Sequence, residues 1–164
     1  MDQSNEFIKL ARSPRFVFFM LRNLPSAYFS GVRIRSISGE ACVVSVPFKW
    51  FTKNPFRSTY FACLAMAAEL STGALAMAHV YRRKPRVSML VVKMEAAYFK
   101  KATGVTSFLC NDGVAFQEVV NRAVSTGKPQ TLTAVSEGVN KAGELVARFV
   151  IEWSFKAKPS SSQG

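Results

Sequence analysis

One apolar segment in the middle of the chain limits the possible folds more than any other feature. From Phe61 to Ala78 every residue is apolar, small or hydroxylated, with the single exception of Glu69. Ala, Leu and Met dominate the segment and favour a helix. Because apolar and small side chains occupy all of its faces, we expect this helix to be buried on every side rather than amphipathic.

The start of this helix has more than one candidate. Asn54 is a good N-cap residue and Pro55 suits the first helical position, so this pair predicts a start there. Ser58 or Thr59 as the cap would start the helix a few residues later. The segment has about the length needed to cross a membrane. Its carboxylate and hydroxyl groups argue against a lipid environment, and we expect no membrane span.

The residues before the long helix predict a helical segment followed by a hairpin. Apolar residues between Asn5 and Leu24 have a helix-like distribution, and Pro14 interrupts them. Two short helices or one kinked helix are therefore expected. The stretches "VRIRSIS" and "ACVVSVPF" are rich in β-branched residues and are joined by Gly39 and Glu40, which predicts two antiparallel strands.

After the long helix the sequence becomes strand-like. An alternating pattern predicts a strand with Lys93 and Glu95 on one face and an apolar second face formed by Leu90, Val92, Met94, Ala96 and Tyr98. The stretch "VTSFLC" predicts another strand, and "VAFQEVVNRAVSTG" predicts a short amphipathic helix that stops at Gly127. Two final strands follow, of which the last, with inward residues from Leu145 to Phe155, alternates most regularly.

This order of elements predicts an α+β domain with a curled antiparallel sheet wrapped around a long central helix. The expected divisions are an N-terminal helical segment (1–28), the main domain (29–158) and a disordered tail (159–164). One sheet cannot cover a helix that is apolar on every side, so the open side requires a further layer. We expect a second subunit to supply it, in a homodimer or a dimer of dimers.

The formal net charge of +12 permits several partners. The basic residues are spread along the chain, without a nucleic-acid-binding motif, so nucleic acid is not the favoured partner. One local cluster of basic residues either binds the phosphates of a small ligand or forms an ordinary solvated face. It contains Arg82, Arg83, Lys84 and Arg86 and is followed by Lys100 and Lys101.

The cysteines and the single histidine argue against a metal centre or a disulfide framework. Cys42, Cys63 and Cys110 are far apart and have no paired spacing. Three scattered cysteines in apolar contexts are typical of reduced core thiols, and the beginning of the sequence lacks a signal-peptide pattern. We therefore expect a cytoplasmic protein without a bound metal.

Three stretches carry a resemblance to a known family. They are "NPFRSTYFACLAMAAEL", "VSMLVVKMEAAYFKKATG" and "VARFVIEWSF". Together with the order of elements, they resemble the hotdog fold of the thioesterase superfamily. The most similar branch is the thioesterase-like one designated a domain of unknown function (DUF4442-like). The resemblance covers roughly residues 32–156.

The resemblance implies a set of catalytic residues. In hotdog thioesterases a carboxylate on the central helix activates water or attacks the thioester, and this position corresponds to Glu69. A backbone N–H near the start of the helix polarises the thioester carbonyl and falls near Phe61. A loop amide corresponds to Asn54, and a hydroxyl one turn after the acid corresponds to Thr72, or to Ser71. In a dimer, the acid of one subunit is able to face the N–H donor of the other.

The resemblance also implies contacts with the substrate, which would be an acyl-CoA. No resident cofactor is expected, because coenzyme A enters as part of the substrate. The expected contacts are the loop residues Ser58, Thr59 and Tyr60 and the basic residues Arg82, Arg83, Lys84, Lys100 and Lys101.

Several alternatives remain open at this stage. In the alternative interpretation, Glu69 is a structural acid paired with an Arg or a hydroxyl. Asn54 is then a plain helix cap. Thr72 or Ser71 is then a hydroxyl bonded to its own helix. Many active hotdog enzymes have a His-Gly-Gly-like stretch where this chain has Tyr60-Phe61-Ala62, so the Phe61 side chain narrows the site. A non-catalytic module that binds acyl-CoA or fatty acyl ligands is therefore the second hypothesis, and nucleic-acid association through the positive charge is the third.

Overall fold

The N-terminal segment forms three short helices. The computed structural model describes residues 4–158, with side chains from residue 6 onward, so the predicted disordered tail lies outside the described residues. Helices α1 (Ser4–Arg12) and α2 (Arg15–Asn23) meet at Pro14, which confirms the predicted interruption. Helix α3 (Pro25–Phe29) follows and was not predicted. Buried Phe7, Phe16 and Met20 anchor this segment to the core.

The remaining elements follow the predicted order. They are β1 (Arg33–Ile37), β2 (Cys42–Val46), α4 (Phe61–Val80), β3 (Val87–Tyr98), β4 (Thr106–Cys110), α5 (Gly113–Thr126), β5 (Gln130–Val139) and β6 (Leu145–Ala157). Strands β1 and β2 pair antiparallel, as the hairpin prediction required. Helix α5 ends where predicted, with Gly127 at φ 65° and its N–H donating to the Ala123 carbonyl.

The six strands form one antiparallel sheet in the order β1-β2-β4-β5-β6-β3. Helix α4 contacts all six strands, so the sheet curls around it. Strand β6 supplies much of the inner surface through Phe149, Ile151, Trp153 and Phe155, which are buried as their alternation predicts. The predicted α+β architecture with a central helix is therefore confirmed.

Helix α4 is long and apolar enough to cross a membrane, yet most of it is buried inside the protein. Helix α1 packs against it, so part of its open side is covered by the chain itself. The apolar composition of α4 is thus explained by its central position among the strands and helices.

The predicted helix starts at Asn54, Ser58 and Thr59 are wrong. Helix α4 begins at Phe61, and its N-cap residue is Tyr60. The chain before it forms a short 3-10 helix (Trp50–Thr52) and then a loop that an isolated antiparallel bridge closes between Lys53 and Thr59. The Asn54 side chain closes the loop between them instead of capping a helix.

The prediction of a single apolar face on β3 is also wrong. The register of β3 against β6 shifts between Val91, which pairs with Trp153, and Lys93, which pairs with Glu152. Val92 is the extra residue in this bulge. A bulge inserts one residue into an alternating pattern and exchanges the two faces beyond it.

The consequence is that the apolar residues of β3 lie on both faces of the sheet. Leu90 pairs with Ser154 on the outer face, whereas Met94 pairs with Ile151 on the inner face. Leu90, Val92, Met94 and Tyr98 are all exposed. Strand β3 is therefore a long edge strand with apolar side chains on both sides.

Candidate functional site

A pocket at the N-terminal end of α4 brings together most of the residues predicted to form the site. We call it the N-terminal pocket, and its volume is about 550 Å³. The predicted residues that line it are Asn54, Ser58, Thr59, Tyr60, Phe61, Lys100 and Lys101. Sequence reasoning missed Phe56, Tyr98 and Phe99, which also line it. The run of aromatic and basic residues "AYFKK" at the end of β3 was the available signal.

Asn54 builds the loop that forms one wall of this pocket. Its Oδ1 accepts hydrogen bonds from the N–H of Phe56 (3.0 Å), the N–H of Ser58 (3.1 Å) and the Ser58 hydroxyl (3.2 Å). Asn and Asp side chains commonly fix turns in this way. In this conformation the Asn54 oxygen and the Ser58 hydroxyl are engaged with each other, and the loop is held firmly.

Thr59 joins this loop to the opposite wall of the pocket. Its N–H and its hydroxyl both donate to the Ala102 carbonyl, at 2.8 Å and 3.1 Å. Ala102 follows Lys100 and Lys101 in the connection between β3 and β4. Thr59 therefore fixes the position of this connection relative to the start of α4.

The first turn of α4 has free N–H donors beside the pocket. The Tyr60 N–H donates to the Thr52 carbonyl, and Tyr60 provides no side-chain cap. Among the described residues, the N–H groups of Phe61 and Ala62 have no hydrogen-bond acceptor. Such groups, together with the helix dipole, favour an anion or a carbonyl oxygen that is gaining negative charge. The exposed Phe61 ring lies beside them, 4.8 Å from the Tyr60 ring centroid.

Glu69 lies further along α4 in a different environment. It is half-buried and lines a small cavity of about 220 Å³, together with residues of the α2–α3 junction such as Leu24 and Pro25. Within the described part of the chain, its carboxylate has no hydrogen bond and no ion pair. Burial disfavours the charged form and raises the pKa of this carboxyl.

Gly73 leaves space between the Glu69 carboxylate and the Trp153 ring. A Cβ atom on Gly73 would lie 3.2 Å from Glu69 Oε1 and 3.2 Å from Trp153 Cη2. The missing side chain at Gly73 therefore leaves space between the acid and the indole ring. A raised pKa makes an ionised carboxylate a stronger base, so this unpaired acid is suited to accept a proton.

Within one protomer the structure does not bring Glu69 and the free N–H groups together. Phe61 and Glu69 are eight residues apart on one helix, which corresponds to about 12 Å along its axis. They also line different cavities. A single site that uses both groups needs a second protomer.

Thr72 and Ser71 are buried and bonded to their own helix. The Thr72 hydroxyl donates to the Glu69 carbonyl (3.0 Å) and accepts from Trp153 Nε1 (3.1 Å). The Ser71 hydroxyl donates to the Ala68 carbonyl (2.8 Å) and lies 2.7 Å from the Ser136 hydroxyl. These contacts match the alternative in which both hydroxyls bond back to the helix.

The predicted basic residues fall into two groups at opposite ends of α4. Lys100 and Lys101 line the N-terminal pocket, and Lys100 pairs with Glu144. Arg82, Arg83 and Lys84 line a second cavity of about 650 Å³ at the C-terminal end. A helix of twenty residues spans about 30 Å, so the two groups are far apart in one protomer.

Two residues of the second group have protein partners. Arg82 forms an exposed ion pair with Glu6 (3.3 Å), and Arg83 donates to Asn121 Oδ1 (2.6 Å). Among residues 4–158 there is no group of three or more His, Cys, Asp or Glu side chains placed to hold a metal ion.

Solved structures with the same fold include several thioesterases. A Pseudomonas aeruginosa protein of unknown function described as a probable thioesterase, PA5026, is 19% identical with a TM-score of 0.77, over 92% of this chain and 95% of its own. The thioesterase HI1161 of Haemophilus influenzae is 10% identical with a TM-score of 0.62, over 88% and 91%. At such identities the likeness shows the fold alone, which is the hotdog fold. A search of curated proteins gave no significant match.

The sequence family is established independently of these structures. The family described as a domain of unknown function, DUF4442, matches residues 15–155, which is most of the chain. The matched region runs from the start of α2 nearly to the end of β6. This chain therefore belongs to the DUF4442 family and has the thioesterase-like hotdog fold.

Proposed function

We propose that this protein hydrolyses acyl-CoA thioesters in the N-terminal pocket, with Glu69 as the base or nucleophile. The observation that carries the proposal is the pair of N–H groups of Phe61 and Ala62, which have no acceptor among the described residues and lie in the first turn of α4, where Phe61 lines this pocket. Donors of this kind stabilise the oxyanion that develops when a thioester carbonyl is attacked.

The acid comes from the second subunit of a homodimer in this proposal. Strand β3 is an unpaired edge with exposed apolar side chains on both faces, and such edges pair with other strands. Pairing two copies of β3 about a two-fold axis places their α4 helices side by side. The partner subunit's Glu69 then has access to the N-terminal pocket, which lies at the start of the first subunit's α4.

The same pairing unites the two groups of basic residues. In an antiparallel pair, the beginning of one β3 lies against the end of the other. Tyr98 and Phe99, at the end of β3, line the N-terminal pocket. The partner subunit's Arg82, Arg83 and Lys84 precede its β3, so they approach the Lys100 and Lys101 side of this pocket. Together they provide cations for the phosphates of coenzyme A.

The other predicted residues act in this proposal by positioning. Asn54 and Ser58 hold the loop, Thr59 fixes the pocket walls, and Tyr60 borders the acyl group. Thr72 orients the helix turn that carries Glu69 through its bond to the Glu69 carbonyl. No resident cofactor is needed for the hydrolysis, because water supplies the second substrate.

A thiol-release assay against short, long and aromatic acyl-CoAs tests the proposal. We expect turnover by the wild type and a loss of at least about a hundredfold in kcat for Glu69→Gln, within the usual range for a general base. Glu118→Gln, at an exposed acid on α5, is the matched control and should keep wild-type activity. Equal turnover by Glu69→Gln and wild type would exclude Glu69 as the catalytic acid.

The second candidate is a module that binds acyl-CoA without hydrolysing it. It is favoured by the separation of about 12 Å between Phe61 and Glu69 in one protomer and by the Phe61 ring at the start of the helix. Sedimentation equilibrium distinguishes the candidates together with the assay. A monomer that binds an acyl-CoA with no thiol release would establish the binding module in place of the enzyme.

A further inference from the structure

A basic and aromatic hairpin connects β2 to α4. We call residues 47–60 the aromatic hairpin, and its first part contains a short 3-10 helix (Trp50–Thr52). The bridge between Lys53 and Thr59 closes it, and the hydrogen bonds to Asn54 Oδ1 hold its tip. The Thr52 hydroxyl donates to the Pro47 carbonyl (2.8 Å) and fixes its base. The hairpin is therefore an ordered part of the surface.

Its large aromatic side chains are exposed to an unusual degree. Trp50 is 79% exposed, Phe56 73% and Phe51 55%. By contrast, the second tryptophan, Trp153, is 3% exposed in the core. Neighbouring large apolar side chains left in water are typical of a surface that contacts an apolar partner.

The same hairpin carries only positive charge. Lys49, Lys53 and Arg57 alternate with the aromatic residues, and the sequence has no acidic residue between Glu40 and Glu69. None of the three cations forms an ion pair with a described residue. Their charge is thus available to an anionic partner, and the whole chain adds a net charge of +12.

We propose that the aromatic hairpin docks this protein on the surface of an anionic lipid bilayer. Trp50, Phe51 and Phe56 enter the boundary between headgroups and acyl chains, where aromatic side chains are enriched. Lys49, Lys53 and Arg57 lie at the level of the anionic headgroups, to which basic residues are attracted. Apolar insertion and headgroup attraction reinforce each other in such binding.

Charge favours a bilayer over a second copy of this chain. A two-fold interface places the same patch of both copies face to face, so the three unpaired cations would meet their own counterparts. Like charges brought together in a contact destabilise it. An anionic bilayer neutralises them instead.

The shape of the hairpin favours a bilayer over nucleic acid. Single-stranded nucleic acids are bound in grooves, where cations follow the backbone and bases stack on aromatic rings. Here Trp50 and Phe51 project from a short 3-10 helix, and Phe56 projects from the turn two residues after Asn54. Insertion into a bilayer needs no hydrolytic activity, so the docking proposal does not depend on the proposed function.

The first test is co-sedimentation of the full chain with vesicles of phosphatidylcholine alone or mixed with phosphatidylglycerol. We expect binding to the anionic vesicles, weak binding to neutral ones, and loss of binding at high salt. Tryptophan emission provides a second readout, because Trp153 is buried and a blue shift on binding reports Trp50. Wild-type protein that fails to bind anionic vesicles would overturn the proposal.

Matched variants locate the contact. We expect Trp50→Ala combined with Phe56→Ala to weaken vesicle binding at least about tenfold, since two inserted aromatic groups are lost. Phe18→Ala, at a residue 73% exposed on α2, should bind like wild type. Triple replacement of Lys49, Lys53 and Arg57 by Gln should weaken binding more than triple replacement of the exposed Lys128, Lys141 and Lys156.

Three other outcomes would contradict docking of the hairpin on a bilayer. If the aromatic double variant changes the oligomeric state by sedimentation and leaves vesicle binding intact, the hairpin is a protein interface. If it abolishes binding to a single-stranded oligonucleotide and leaves vesicle binding intact, the partner is nucleic acid. Equal vesicle binding by the hairpin variants and their controls would place membrane contact elsewhere.

Discussion

Trp153 Nε1 donates a hydrogen bond to the Thr72 hydroxyl over 3.1 Å, inside the core. The Thr72 hydroxyl in turn donates a hydrogen bond to the Glu69 carbonyl, so the last strand is linked to the helix turn that carries the unpaired acid. The ring of the same tryptophan also borders the space left by Gly73, beside the Glu69 carboxylate. Strand β6 therefore sets the surroundings of Glu69 although it contributes no charged group there.

Replacing Thr72 by Val should measure this link. Valine keeps the shape but leaves the buried indole N–H without its acceptor, which costs about 1–3 kcal/mol in the free energy of unfolding. Urea unfolding followed by tryptophan fluorescence gives the value. Thr133→Val, at an exposed position of β5, is the control and should change stability by less than about 0.5 kcal/mol. Equal effects of the two substitutions would show that the Trp153–Thr72 bond contributes nothing.

The raised pKa of Glu69 predicts how stability depends on pH. Between the ordinary value of 4.5 and the raised value, the folded state binds more protons at this group than the unfolded state does. Stability due to this group therefore falls as pH rises through that window. We expect Glu69→Gln to melt at a higher temperature than wild type above the window and at the same temperature below about pH 4.5. Calorimetry of both proteins across pH tests this, and a variant that is less stable at neutral pH would indicate a paired acid instead.

The three cysteines should be unreactive while the protein is folded. Cys42, Cys63 and Cys110 are free and buried, and Cys42 pairs with Cys110 across β2 and β4. Burial raises the pKa of the Cys42 and Cys110 thiols to about 12, so the reactive thiolate is scarce. We expect no reaction of the native protein with Ellman's reagent and reaction of all three thiols in guanidinium. A deficit of two thiols after unfolding would reveal a disulfide and would argue against the predicted cytoplasmic location.

Asn54→Ala should loosen the tip of the aromatic hairpin. The substitution removes the acceptor of the Phe56 and Ser58 N–H groups, each bond being worth about 1 kcal/mol. Local opening, and with it tryptic cleavage at Lys53 or Arg57, should become roughly 5- to 30-fold faster. The melting temperature should change little, because the loop is at the surface. Asn54→Asp keeps an oxygen at this position and should be cleaved at nearly the wild-type rate.

The elements with a strong repeating pattern could be predicted from the sequence. Helix α4 and strand β6 follow from uniform apolar content and strict alternation, because burial alone decides both. The bulge at Val92 could not be predicted, since one inserted residue in β3 leaves the local composition unchanged while it exchanges the faces. The start of α4 was misplaced for a similar reason, because Asn54 is as suitable for closing a loop as for capping a helix.

The residues predicted for the candidate site do not all lie together in one protomer. Asn54, Tyr60, Phe61 and Lys101 line one pocket, yet Glu69 lies elsewhere on the same helix and the Arg82 group lies at its far end. Spacing along the sequence gives the distance between two residues on a helix, but it does not say which of them meet across two chains. That relationship depends on the exposed edge of β3 and stays a prediction.

The position of β6 between β5 and β3 has a consequence for biosynthesis. Strand β3 emerges from the ribosome early, but its partner in the sheet emerges only after α5 and β5 have been made. Until then the apolar side chains of β3 and the inner side of α4 have no β6 to cover them, and such intermediates aggregate readily. A ribosome that stalls before residue 145 therefore releases a product without a closed core.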